Sequence, residues 1–257
     1  MTPKTIIYYH RSYRKITGSG WSLLLALIAV GILLSLAIFL ASPFLTKWMS
    51  LIAAAVLSPY YPSGTIQVIE KGFFWKNVFV VEIPGLYPSA LTVFMNTGIS
   101  LVIIAAMILA KRNKNIAIFI LFLTVVHLVS SLFFMFFGDA FPYSGAKFSE
   151  LCIKSQVDIW IFIPFILAMA FLPLPASIFS RLMVIAVTLM YSFVFGTLRY
   201  IVFLFVVSKF SDIYMAILYF AFGPLIDFVY IVGIYSIYNS RLAKTLKGNP
   251  SVWKWAY

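Results

Sequence analysis

Apolar residues gather into six long runs separated by short polar stretches, and that pattern sets the architecture. The runs cover 21–43, 88–110, 116–137, 159–178, 182–207 and 213–238. Each is about 20 residues or longer, enough at 1.5 Å per residue to cross a hydrocarbon core of about 30 Å. A seventh run, 51–57, is too short to cross. Flanked by Trp48 and by Tyr60, Tyr61 and Pro62, it reads as a helix lying in the membrane interface.

The longest connection, 44–87, carries the segment TIQVIEKGFFWKNVFVVEIPG. Apolar and polar residues alternate over 65–70 and again over 77–83, on either side of KGFFWK. That pattern fits a β-hairpin with a glycine-containing loop, and equally an irregular loop. No internal repeat or low-complexity tract interrupts the chain. The expected fold is therefore all-α: a polytopic membrane helical bundle in one domain over 1–257. It has six transmembrane helices, one interfacial helix and a small extracytoplasmic hairpin, with tails at 1–20 and 239–257.

Composition sharpens this picture. The chain is 63% hydrophobic and 10% charged, with mean hydropathy +1.03, against about 25% charged residues in a soluble domain. It needs lipid as solvent, so the bilayer is its first partner. The 26 Phe, 15 Tyr and 6 Trp suit lipid-facing and interfacial positions. A single cysteine excludes an intrachain disulfide and a cysteine cluster, and two histidines, His10 and His127, leave no histidine-rich metal site. No cofactor is expected.

The charges sort by connection. One side holds Lys4, Arg11, Arg14 and Lys15, then Lys111, Arg112 and Lys114, then Arg181, then Arg241, Lys244, Lys247 and Lys254. No acid stands among them. The other side holds Lys47, Lys71, Lys76, Lys147, Lys154 and Lys209 together with Glu70, Glu82, Asp139, Glu150, Asp158 and Asp212. The bias predicts both termini in the cytoplasm. It makes the net charge of +12 a topology signal, and no nucleic-acid partner is expected. The first run exceeds the apolar region of a signal peptide and reads as an uncleaved anchor.

Four residues stand out chemically. Arg199 lies in FGTLRYIVFLFVV, about 13 Å below the outer end of the fifth run by helical rise. An arginine there costs about 2.5–3.5 kcal/mol or more, so it should face a polar partner or a water-filled pocket. Ser192, Gly196 and Phe203 share its helical face. Asp227, behind FGPLID, is the natural counter-charge, with Pro224 expected to kink or unwind the helix outward of it. His127, flanked by Thr124, Ser130 and Ser131, is either a functional group or a neutral imidazole bonded to a neighbouring helix. Cys152, in FSELCIKSQVDIW, stands just before the fourth run, on the side toward which Arg199 points. A nearby guanidinium favours a thiolate and can stabilise an oxyanion.

A cysteine at the outer end of a membrane helix, a cytoplasmic arginine-containing turn, the element GTLRYIV and a last helix with a third polar residue form one pattern over 148–238. It resembles the exosortase/archaeosortase family of integral-membrane cysteine transpeptidases, as a divergent or degenerate member. The resemblance implies Cys152 as nucleophile and Arg199 as the family's arginine, with Asp227 or His127 in the third role. The implied substrate is a single-span protein with a C-terminal sorting signal, cut on the extracytoplasmic side. The family usually reads Cys-Ser-Gly at the nucleophile, where this chain has Cys152-Ile153-Lys154.

Two other readings stay open. In one, the chain is a non-catalytic subunit bound to partner membrane subunits, and Arg199 with Asp227 fixes helix register. In the other it is a small transporter, with the intramembrane charges as an ion path. The absence of visible repeats weakens the latter.

Overall fold

The computed structural model describes residues 14–16, 21–109, 114–172, 174, 176–246 and 253–255. Lys4, His10, Arg11, Ala110, Lys111, Arg112 and Lys247 lie outside them. The chain is an all-α polytopic bundle with six stretches of helix long and apolar enough to cross a membrane among the described residues. A short strand β1 (Arg14–Ile16) precedes α1 (Trp21–Leu57), and the hairpin strands β2 (Gln67–Phe73) and β3 (Lys76–Glu82) follow. Helices α2 (Ala90–Leu109), α3 (Lys114–Phe137), α4 (Gly145–Phe171) and α5 (Ile178–Lys209) come next. The last apolar run is divided into α6 (Met215–Phe222) and α7 (Pro224–Leu246), before a final strand β4 (Trp253–Trp255). Strands β1 and β4 pair antiparallel, Lys15 opposite Lys254, which brings the two tails together.

The expected interfacial helix at 51–57 is not separate. α1 runs through Pro43 without ending. Proline cannot donate to the Phe39 carbonyl four residues back, and Ser42 Oγ supplies that bond instead at 2.8 Å. The last turns of α1 are then held by the hairpin. Thr46 Oγ1 accepts from Phe79 N–H at 3.2 Å, and Ser50 Oγ donates to the Phe79 carbonyl at 2.7 Å.

The hairpin itself forms as the alternation suggested, with Gln67 opposite Glu82 and Phe73 opposite Lys76. The hairpin buries Phe73 of β2, Val78, Val80 and Val81 of β3, and the following Ile83 against the bundle. The outward edge of β3 carries backbone groups that would otherwise lack partners. Thr46 and Ser50 satisfy Phe79, and Tyr200 Oη accepts from Val81 N–H at 2.9 Å. Ser149 Oγ lies 2.6 Å from the same hydroxyl, so one tyrosine ties β3, α4 and α5 together.

α4 begins at Gly145, far earlier than the expected 159. Ser144 caps it by accepting from Lys147 N–H at 3.2 Å. The polar stretch 149–158, which hydropathy alone leaves outside a span, is helical and amphipathic. Ser149, Ile153, Gln156, Val157 and Trp160 are buried, while Asp158 is exposed. Lys147 and Lys154 both pair with Glu150, at 3.2 and 2.6 Å. α1 and α4 cross closely: a Cβ on Gly31 would stand 2.9 Å from that of Ala168, and Ser35 Oγ donates to the Ile161 carbonyl at 2.6 Å. α2 and α3 pack on each other, and α3 continues onto the 212–214 turn and α6.

Candidate functional site

The site is built where α4, α5 and the α6–α7 break meet. On α5, Ser192, Gly196, Arg199 and Phe203 share one face at spacings of three and four. Gly196 is what lets α4 come near. A Cβ there would lie 2.6 Å from Gln156 Oε1. Gln156 fills that space, and its Oε1 accepts from Arg199 Nη2 at 2.6 Å while Nε2 donates to Ser192 Oγ at 3.2 Å.

The third wall comes from a helix that is interrupted rather than merely kinked. Pro224 has no N–H to continue α6. Gly223 between the two helices adopts φ −85°, ψ −119°, where a Cβ would collide with the Tyr219 carbonyl. At the break Arg199 Nη1 donates to two backbone carbonyls, Phe222 O at 3.2 Å and Gly223 O at 3.0 Å, the latter also accepting from Ile226 N–H at 3.1 Å as α7 begins.

Asp227 lies in the first turn of α7, an end of the helix that favours negative charge. Its Oδ2 accepts from Arg199 Nη2 at 2.8 Å, and its side chain is 2% exposed against 11% for Arg199. The guanidinium is also flanked by the Phe195 and Phe203 rings of its own helix, whose centroids lie 5.7 and 5.9 Å from its Cζ. With Gln156, Asp227 and the two carbonyls, all four terminal N–H groups of Arg199 have an acceptor. Tyr230, one turn after Asp227, donates to Ser192 Oγ at 2.6 Å, extending the network across α4, α5 and α7.

Cys152 stands one turn before Gln156 on α4, partly exposed and in the third turn of the helix rather than ahead of it. It lines the same small cavity as Arg199, of about 20 Å³, together with Met49, Ser155, Tyr200 and Tyr219. That space has room for about one water molecule. The cavity therefore brings together the two residues that the sequence singled out from separate helices.

His127 takes no part in it. Its Nε2 lies 3.0 Å from Asn96 Oδ1, and its ring stacks on Tyr214 at 5.2 Å. Tyr214 Oη donates to the same Asn96 oxygen at 3.1 Å. The histidine thus stitches α2 and α3 to the turn that opens α6. Arg181, counted among the loop charges, is buried, with Nη2 donating to the Leu174 carbonyl at 2.6 Å.

Sequence reasoning did not single out Gln156, Tyr230 and the Phe222 and Gly223 carbonyls. A signal for Gln156 existed: it follows Cys152 by four residues, and hence shares its face once 145–158 is helical. The architecture and its apolar helices define an integral membrane protein. No family model, curated protein or solved structure matches the chain.

Proposed function

We propose that the chain is an exosortase-like membrane cysteine peptidase or transpeptidase, acting on the extracytoplasmic side of a prokaryotic cytoplasmic membrane with both termini in the cytoplasm. The observation that supports this reading is the shared cavity of Cys152 and Arg199 beneath the hairpin. Cys152 Sγ attacks the scissile carbonyl, forming a thioester and breaking the C–N bond. The thiol proton leaves with the departing amine. An incoming amine, hydroxyl or water then attacks the thioester and returns the thiol. Arg199 faces the developing oxyanion and gives up one of its present acceptors, Gln156 or a Gly223 carbonyl, as charge builds on the substrate. Asp227 holds the guanidinium in place throughout. The substrate is a single-span protein with a C-terminal sorting signal, entering from the bilayer.

One observation favours a second reading. All four terminal N–H groups of Arg199 are already engaged, as in a structural ion pair that fixes a helix break. In that reading the chain is a non-catalytic subunit of a membrane assembly.

The discriminating experiment replaces Cys152 with alanine in the native cell and follows proteins that carry a C-terminal anchor. Their accumulation uncut, with the variant present at normal level, is the expected result. Full processing by Cys152→Ala overturns the cysteine mechanism and leaves the subunit reading.

A further inference from the structure

The tip of the hairpin is built at a cost. Phe73 pairs with Lys76, so Phe74 and Trp75 alone make the turn. Phe74 adopts φ +51°, a region that favours glycine or asparagine in two-residue hairpins. The chain nevertheless keeps two large aromatics there, and they are 80% and 88% exposed. Among the described residues each makes one ring contact: Phe74 meets Phe73 of β2 edge-on, with centroids 4.8 Å apart, and the Trp75 ring meets Phe39 of α1 edge-on, with centroids 6.3 Å apart.

The Trp75 contact fixes the level of the tip. Phe39 is eighteen residues past Trp21, about 27 Å along the helix, close to the thickness of a hydrocarbon core of about 30 Å. α4 gives the same level independently. Gly31 lies against Phe165 and Ala168, and Ser35 bonds to Ile161, so the antiparallel progression sets Phe39 beside the turn containing Asp158. Asp158 is exposed, and an exposed carboxylate does not remain in hydrocarbon. The outer boundary on this side of the bundle therefore passes near Phe39, and the hairpin hangs from above down to it.

We infer that the hairpin tip is a lipid-binding element: Phe74 and Trp75 insert into the interface of the outer leaflet, as amphipathic aromatics do at membrane boundaries. The charges around the tip suit that surface. Lys47, Lys71 and Lys76 reach headgroup phosphates, against one local carboxylate, Glu70, which accepts from Asn77 Nδ2 at 2.7 Å. The element also sets the height of the cavity. Val81 of the same hairpin is held by Tyr200, which lines it, and Gln156 lies two residues from Asp158. This inference stands whether or not the chain is a peptidase.

The test uses the full chain in lipid vesicles, with Cys152→Ser to remove the native thiol. A nitroxide is attached at Trp75→Cys, and separately at Phe74→Cys in case one variant does not fold. Ser63→Cys, on the exposed loop before β2, is the control. Collision with oxygen is compared with collision with a water-soluble nickel chelate. The oxygen-to-chelate ratio should be several-fold higher at 74 or 75 than at 63. A chelate contact at the tip equal to that at 63, with this chain alone in the vesicle, would show a tip left free for a protein partner and would overturn the inference.

Discussion

Arg199 Nη2 lies 2.8 Å from Asp227 Oδ2, although simple helical rise puts the aspartate about 7 Å deeper. The interruption at Gly223 and the length of the arginine side chain close that gap. The same interruption supplies two further acceptors, so the arginine and the break stabilise each other. Removing either partner strands a charge at low exposure. Arg199→Ala and Asp227→Asn should each cost about 3–5 kcal/mol, while Leu198→Ala, on the exposed neighbouring position, should cost little. Thermal unfolding in detergent checks this, and equal stability of all three variants would refute it.

Tyr200 carries a second joint. Its hydroxyl satisfies Val81 N–H and Ser149 together, in a fully buried setting. Tyr200→Phe keeps the ring and leaves both groups unpaired, at a cost of about 1–3 kcal/mol. Amide exchange at Val81 should accelerate relative to Val80, whose backbone faces β2. An unchanged rate at Val81 would mean that the hairpin is held by packing alone.

Most of the helical architecture was legible because a hydrocarbon solvent demands long apolar runs, and few other patterns produce six of them. The hairpin was legible as alternation, and the break at Pro224 as a missing donor. What hydropathy misplaced was the start of α4 and the end of α1. Residues 145–158 mix Lys147, Glu150, Lys154 and Asp158 with buried Ile153 and Val157, so their mean hydropathy conceals an amphipathic helix. Pro43 looked like a terminus because the donor that replaces its N–H, Ser42 Oγ, is a local side-chain choice. In the site, Arg199 and Asp227 announced themselves as charges in apolar runs. Gln156 was hidden because the helix that presents it was not recognised, and backbone carbonyls leave no mark in a sequence.

Gly196 offers a sharper test of the site. A Cβ there intrudes on Gln156, so Gly196→Ala should displace the amide, remove an acceptor from Arg199 and destabilise the protein. Shortening the opposing side chain relieves the collision. The double variant Gly196→Ala with Gln156→Ala should therefore be more stable than the sum of the two single changes predicts, by about 0.5–3 kcal/mol of coupling. Strict additivity would show that the two residues do not share the space.

Two separate features bear on the orientation of the chain in the membrane. Pairing of β1 with β4 sets residues near both ends of the chain side by side, as six crossings require. The basic residues then choose the side. Lys and Arg without acids occupy the tails and the connections that share their side, whereas the hairpin side carries mixed charge. A fluorescent protein that matures only in the cytoplasm, fused after Tyr257, should therefore fluoresce. A phosphatase that folds only outside should be active when inserted at Gly64, where the chain turns at φ +85° with open space around it. The reverse pair of results would put Cys152 and Arg199 on the cytoplasmic side. It would remove the extracytoplasmic assignment of the site while leaving its geometry untouched.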